Sequence, residues 1–386
     1  MTPARGFPAA EFAARIDPIQ SRMAEAGISA LLLTTEPEVR YVTGFLTRFW
    51  ESPTRPWFVV VPETGKPIAV VPEIGAHLMR QTWVDDIRTW VSPDYSDDGV
   101  SLLADVLAAV TPVGGTIGQP SGMETHLRMP LHDWTALRDR LGDRKFGDDA
   151  GILRACRMVK SEAEITKIRW TCGIADAAFA RMNDLAGAGV PLADVFRGFQ
   201  AALLEEGADW VPYVAGAAAP GGYGDVISPA TDAALGEGDV LMLDTGAVWD
   251  GYFCDFDRNF SIGPPTAEVA DAHARLVDAT QAGFEAARPG ATPAELYAAM
   301  DYVLTGGGGP VKGRLGHGLG MQLTEPPSLI PADHTPLAPG VVLTLEPVID
   351  LSGGRIMVHE ENIVVTETGA RWLSSPTGHD ILEVAP

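Results

Sequence analysis

Apolar and polar positions fall into blocks whose period changes along the chain. Residues 17–27 read as a helix, with Asp17 in the capping position, Pro18 first inside, Ile19 and Met23 on one face and Gly27 closing it. The apolar run 28–33 predicts a buried strand. The runs 58–61 and 68–71 flank a Pro-Glu-Thr-Gly turn and predict a hairpin, and 102–110 predicts a short amphipathic helix. A boundary falls near 148–160. Ser161 and Glu164 have the spacing of a capping box, and Ile165, Ile168, Cys172, Ala175, Phe179 and Met182 follow at helical spacing. A long helix therefore opens the second half. Beyond it, 239–244 reads as a strand with 251–260 as its hairpin partner. Helices are expected over 267–287 and 293–304, and strands over 341–349 and 356–366. The pattern predicts an α+β chain of two domains, 1–150 and 151–386, as 386 residues would suggest.

Composition narrows the function classes. Hydrophobic residues make up 46% and charged residues 20%, which suits a folded globular chain rather than a disordered one. The formal net charge of −23 opposes binding to nucleic acid phosphates or anionic lipid. Cys156, Cys172 and Cys254 form no CxxC pair, which disfavours a disulfide framework or a thiolate zinc site. The N-terminal stretch has no apolar core of signal-peptide length, and no apolar run reaches the ~20 residues of a membrane span. The expected compartment is the cytoplasm.

Candidate chemistry gathers in the second half. Asp244 and Asp255 lie on the two apolar arms of a hairpin whose turn contains Asp250-Gly251. A turn centred between Trp249 and Asp250 would set Asp244 directly opposite Asp255, with Cβ atoms ~4.5–5.5 Å apart. Two carboxylates so close need a positive charge between them. His317 stands between glycines in Gly-His-Gly, which permits close backbone packing around the ring. Glu346 ends an apolar strand, where an unpaired carboxylate is expensive. Glu360 lies on the last long strand, with His359 and Glu361 expected on the opposite face. Two Asp, two Glu and one neutral His balance two divalent ions in charge. This donor set suits Mn, Co, Fe or Zn without choosing among them.

At these residues the chain resembles the pita-bread metallopeptidases: Xaa-Pro aminopeptidases, prolidases, methionine aminopeptidases and the creatinase relatives. Residues 30–34 and 38–45 are similar to a creatinase/prolidase N-terminal domain, and 160–165 to the segment that opens the catalytic domain. The stretches 238–246 and 251–255, Gly316-His317-Gly318-Leu319-Gly320, Thr344-Leu345-Glu346-Pro347 and Glu360 match the ligand motifs. The resemblance implies an N-terminal α/β domain followed by a pita-bread catalytic domain. It implies two divalent metal ions, with Asp244 chelating one, Asp255 and Glu360 bridging both, and His317 and Glu346 holding the second. It further implies a metal-bridging hydroxide as nucleophile, Glu346 as proton shuttle, and a homodimer. In such a dimer Arg48, Trp50 and Arg55 are candidates to approach the pocket.

The chain departs from the family pattern around the substrate. Thr324 stands where the peptidases usually carry a second histidine, and 222–231 lacks the histidine usual before the Asp244 strand. Asp257 replaces the usual threonine, and Val358 a frequent arginine. Thr324, Tyr223, Asp225 and Tyr252 are candidate replacement polar groups, Thr324 as a catalytic residue and the others as substrate-binding ones. The expected activity is hydrolysis of small Xaa-Pro peptides. The alternative is a relative repurposed for a non-peptide amide, an amidine or a β-elimination, although Gly246 lacks the extra aspartate of the lyase type. A third reading, a binding module without activity, is opposed by the intact ligand set.

Overall fold

The computed structural model describes residues 2–52, 56–309, 311 and 313–385. The chain divides into two compact units, Ala4–Arg157 and a second containing Met158–Pro386.

The first unit is a six-stranded sheet with helices. Its strands are β1 (Ala30–Leu33), β2 (Phe58–Pro62), β3 (Ile68–Pro72), β4 (Asp86–Trp90), β5 (Thr116–Gln119) and β6 (Lys145–Asp148), in the order β4-β3-β2-β1-β5-β6. The expected β2–β3 hairpin is present, with Phe58 facing Val70. The apolar run at β1 is buried along its whole length because it is central, antiparallel to β2 and parallel to β5. The helices are α1 (Ala9–Ala26), α2 (Glu36–Thr43), α3 (Glu73–Met79), α4 (Val100–Val110), α5 (Leu131–Arg140) and α6 (Ile152–Met158). Helix α1 begins eight residues before the expected start and runs through Pro18. Phe12, Ile16, Ile19 and Met23 form one buried stripe, and packing of that stripe outweighs the backbone bond that proline forgoes.

The second unit opens on α7 (Glu162–Phe179), where both capping-box hydrogen bonds form: Glu164 N donates to Ser161 Oγ at 3.3 Å, and Ser161 N to Glu164 Oε2 at 2.9 Å. Helices α8 (Met182–Leu185) and α9 (Leu192–Glu205) follow. A four-stranded sheet is built from β7 (Val214–Pro220), β8 (Asp239–Thr245), β11 (Phe256–Ile262) and β19 (Leu382–Val384), in the order β19-β11-β8-β7. The tip of its hairpin is the short pair β9 (Val248–Trp249) and β10 (Tyr252–Phe253). Helices α10 (Ala267–Ala286) and α11 (Pro293–Thr305) pack together. A five-stranded sheet then has the order β13-β12-β14-β17-β18, from β12 (His317–Gly318), β13 (Glu325–Ser328), β14 (Val342–Leu345), β17 (Glu361–Val365) and β18 (Ala370–Trp372). The ribbon β15 (Val348–Asp350) and β16 (Ile356–Val358) extends it. Residues from α10, α11, β8 and β14 share one apolar core. Among the described residues, no helix is long and apolar enough to cross a membrane.

Two local expectations are corrected. The hairpin is centred on Asp250-Gly251, with φ of 47° and 79°, so Trp249 faces Tyr252 and the register moves by two. Both turn residues take the left-handed conformation that a two-residue hairpin loop requires. Asp244 consequently faces Asp257 rather than Asp255. The long strands expected over 341–349 and 356–366 are each broken, at 346–347 and 359–360.

The capping box at the head of α7 gives a direct test. Ser161→Ala should lower stability by about 1 kcal/mol, read as a lower denaturant midpoint; an unchanged midpoint would show that the cap is not stabilising.

Candidate metal centre

The two broken ladders build the site. In the first, Thr245 faces Phe256 and Val248 faces Phe253, which sets Asp255 across from Gly246 in the gap. In the second, Leu345 faces Glu361 and Val348 faces Val358, which sets Glu346 across from Glu360. At each gap the ladder bonds are replaced from outside. Gly246 N donates to Tyr213 O at 3.1 Å, and Glu346 N to Leu315 O at 3.0 Å.

The remaining backbone groups are satisfied reciprocally. Asp255 N donates to Asn362 Oδ1 at 3.0 Å, and Asn362 Nδ2 donates to Asp255 O. Glu360 N donates to Asp257 Oδ1 at 3.2 Å, and Arg258 Nη1 donates to Glu360 O at 3.2 Å. Each gap is thus clamped by a side chain two residues beyond the carboxylate of the other gap. Buried backbone polar groups demand such partners, and here the partners lock the two carboxylate-bearing segments together. Cys172 Sγ donates to the same Asn362 Oδ1 at 3.3 Å, and Ser374 Oγ accepts from Asn362 N at 2.9 Å.

His317 enters from β12. Its backbone N donates to Thr344 Oγ1 at 3.1 Å, and its Nδ1 lies 2.9 Å from Gly318 O. A carbonyl only accepts, so Nδ1 carries the hydrogen and Nε2 presents a lone pair. Nε2 is 3.4 Å from Asp255 Oδ2. The flanking glycines are required: a Cβ on Gly316 would stand 2.3 Å from Thr344 O, and one on Gly318 2.3 Å from Pro326 O.

Donor atoms of Asp255, His317 and Glu360 lie within 4.8 Å of one another, and all three residues are buried. Asp244 and Glu346 adjoin them and keep partial exposure, so the chamber opens on their side. Burial pushes the carboxyl of Asp244 up to about 7 and that of Glu346 up to about 8. Neighbouring carboxylates add to both shifts, and Asp255 and Glu360 are raised well above the ordinary range for the same reasons. Burial also lowers His317 to about 4, leaving the ring neutral. Asp244 Oδ1 and Glu360 Oε1 are buried without any hydrogen-bond partner. Orphaned anionic oxygens beside a neutral imidazole are the donor set of a hard or borderline cation, so the residues fit a metal.

The candidate substrate residues are placed differently. Thr324 Oγ1 accepts from Arg314 Nη2 at 3.4 Å, next to the chamber. The fully buried Tyr223 hydroxyl donates to Asn259 Oδ1 at 3.1 Å and accepts from Val358 N at 2.7 Å, so it joins strands. Tyr252 donates to Glu164 Oε1 at 2.9 Å and ties the hairpin to α7. Asp225 is exposed and holds its own loop through Ser228 and the Ile227 backbone. Trp50 packs among Trp57 and Arg128 in the first unit, and Arg48 pairs with Glu51 at 3.5 Å on its surface. Arg55 lies outside the described residues.

Sequence reasoning missed Arg314, Tyr213 and Asn362. Arg314 favours the charged forms of Asp255 and Glu346, and Tyr213 does the same for Asp244 by side-chain hydrogen bonding. None belongs to a spacing pattern that a linear reading could detect; Asn362 shows only as a polar residue inside an apolar strand.

Residues 166–367 match the model of metallopeptidase family M24, and 15–159 match the creatinase/prolidase N-terminal domain. The chain belongs to metallopeptidase family M24. A probable dipeptidase PepE of Mycobacterium tuberculosis is 30% identical over 374 residues, covering 95% of each chain. Among solved structures, dipeptidase PepE from Mycobacterium ulcerans superposes with a TM-score of 0.84 at 28% identity, over 99% of this chain and 100% of that one. An X-Pro aminopeptidase from Thermotoga maritima gives 0.79 at 25%, over 96% and 99%. The M24 protein is therefore a metal-dependent hydrolase with the two-domain, prolidase-like pita-bread architecture, and divalent metal use follows from the family.

The raised carboxyl groups predict a pH dependence for the metal-stripped protein. A carboxyl whose pKa is higher folded than unfolded contributes stability at low pH that is lost as pH rises. Stripped M24 protein should lose thermal stability steadily between about pH 4 and pH 8, and the rise in melting temperature on adding Mn(II) should grow over the same window. A stripped protein whose melting temperature is flat or rising across it would refute the clustered-carboxylate site.

Proposed function

We propose that this M24 protein is a dinuclear peptidase for short peptides, cleaving Xaa-Pro dipeptides or removing the N-terminal residue that precedes a proline. The observation that carries the reading is the convergence of Asp244, Asp255, His317, Glu346 and Glu360 on one chamber with two unpartnered carboxylate oxygens. The substrate class is drawn from relatives. They include the mycobacterial dipeptidases, the Thermotoga X-Pro aminopeptidase and an Xaa-Pro dipeptidase of Pyrococcus horikoshii, which is 25% identical over 363 residues.

In this reading Asp244, Asp255, His317, Glu346 and Glu360 are the residues that would hold the divalent ions. When bound, divalent ions acidify water towards neutrality and polarise a carbonyl. Glu346, on the open side of the chamber, takes the proton of the attacking water and passes it to the leaving amine. Arg314 holds Thr324 at the chamber, where the threonine hydroxyl orients the scissile group. Asp255 and Glu360 are kept in place by the reciprocal clamp of Asn362 and Asp257. The native ion is one of Mn, Co, Zn or Fe. The working assembly is a homodimer, and a monomer in sedimentation at micromolar concentration would remove that part.

A second reading, hydrolysis of a non-peptide small amide, draws on Thr324 at the place of a second histidine. The absence of histidine from 222–231 points the same way. Such imidazoles are donors of the kind worth about 2.7–4 kcal/mol each to a transition state. One panel separates the two: Xaa-Pro dipeptides, Xaa-Pro tripeptides and small amides, with stripped protein reloaded in turn with Mn, Co, Zn and Fe. Cleavage of a proline peptide, lost at least 1000-fold in Asp255→Ala and Glu360→Ala together with bound metal, is the expected result. Turnover of amides alone would transfer the assignment to the second reading.

A further inference from the structure

The carboxylate that faces Asp244 across the β8–β11 ladder is Asp257. Cross-strand partners share a face, with Cβ atoms about 4.5–5.5 Å apart. Asp257 is 1% exposed. Its charge bears on Asp244, Asp255, Glu346 and Glu360 alike. Among the described residues, no lysine or arginine forms a salt bridge with its carboxylate, although the charge of Arg258 favours its ionised form. Its ionic neighbour is His359, whose Nδ1 lies 3.7 Å from Oδ1 and whose ring burial keeps neutral. The guanidinium of Arg258 is turned instead to the carbonyls of Asp257 and Glu360, to Glu361 and to Ser375.

The clamp does not explain this charge. Asp257 and Asn362 hold equivalent places, each two residues beyond a gap carboxylate and each binding the backbone of the other gap. At 362 a neutral amide suffices. That amide faces Thr344, whereas Asp257 faces Asp244 and its unpartnered Oδ1. A buried anion opposite another anion destabilises the fold unless a cation joins them.

We propose that Asp257 is a fifth carboxylate of the metal centre, strengthening the hold on the cation at Asp244. With it the carboxylate charge is −5 against +4 for two divalent ions, a centre biased towards tight retention of cations. The inference rests on the dinuclear reading above, and its test separates the two. Full-length wild type and Asp257→Asn are stripped with chelator and titrated with Mn(II), with bound metal counted by elemental analysis and affinity read by calorimetry. Asparagine keeps an acceptor for Glu360 N and removes only the charge. The expected result is two Mn(II) per wild-type chain, with at least tenfold weaker binding of one of them in D257N. Metal-free D257N should melt no lower than metal-free wild type, because a repulsion has been removed. Should D257N not fold, Asp257→Thr takes its place. Equal affinities in variant and wild type would overturn the assignment of Asp257 and leave the dinuclear reading standing. Weaker binding with a lower metal-free melting temperature would also overturn it, by making Asp257 a support of the fold. Fewer than two Mn(II) on wild type would defeat the dinuclear reading itself.

Discussion

Gathering Asp244, Asp255, Glu346 and Glu360 into one chamber, with Asp257 buried beside them, is unfavourable in the absence of a cation, and the rest of the second unit is arranged around that fact. Burial raises each carboxyl, and neighbouring carboxylates raise Asp244, Asp255, Glu346 and Glu360 further. Arg314 and the Tyr213 hydroxyl offset only part of this. A fold that holds such a cluster together has to spend stability gained elsewhere, here in the apolar core shared by β8, β14, α10 and α11. Metal binding is then coupled to folding, because the cation relieves a repulsion that folding creates.

The means of holding the cluster is a backbone device. Two antiparallel ladders each lose one pair of bonds, at Gly246–Asp255 and at Glu346–Glu360, without losing register. A lost pair frees the side chains there from the alternation of an unbroken strand. The freed amides and carbonyls would be costly if left alone, and the other ladder supplies their partners through Asn362, Asp257 and Arg258. Because each gap is closed by the other, the two sheets cannot shift independently, and the ligands gain the rigidity that a catalytic metal site needs.

The partly exposed side chains lie on the open side of the chamber. Asp244, Glu346, Arg314, Thr324 and Tyr213 all retain some exposure. Thr324 is carried on a loop pinned by Glu325, which accepts from Met321 N at 2.9 Å and Gln322 N at 3.1 Å and pairs with the buried Lys160 at 3.1 Å. The loop's position is therefore set by buried charge at Glu325 and Lys160. Family membership identifies the chemistry of this chain more sharply than its substrate, because one fold can carry different substrate shells.

Much was legible in the chain itself. Caps and periodicity placed α10 and α11 and the start of α7 to within a residue or two, since Ser161–Glu164 and the apolar stripes act locally, whereas Met182 falls in the separate helix α8. The order Asp, Asp, His, Glu, Glu pointed to a metal centre because so many donors in apolar surroundings have few other uses. What the linear pattern could not decide was register and pairing. A one-residue shift of the hairpin turn moves the register by two and exchanges Asp255 for Asp257 opposite Asp244, and both alignments keep the same apolar face. The breaks at Glu346 and Glu360 lie inside apolar runs that read as continuous, because the bonds replacing the ladder come from residues remote in sequence, Leu315 for Glu346 and Asp257 and Arg258 for Glu360. For the same reason Tyr223 and Tyr252 read as substrate residues, while their hydroxyls are occupied by Asn259, Val358 and Glu164. Local propensity determined which elements form; only the tertiary structure, by satisfying every buried polar group at once, decided which side chains meet.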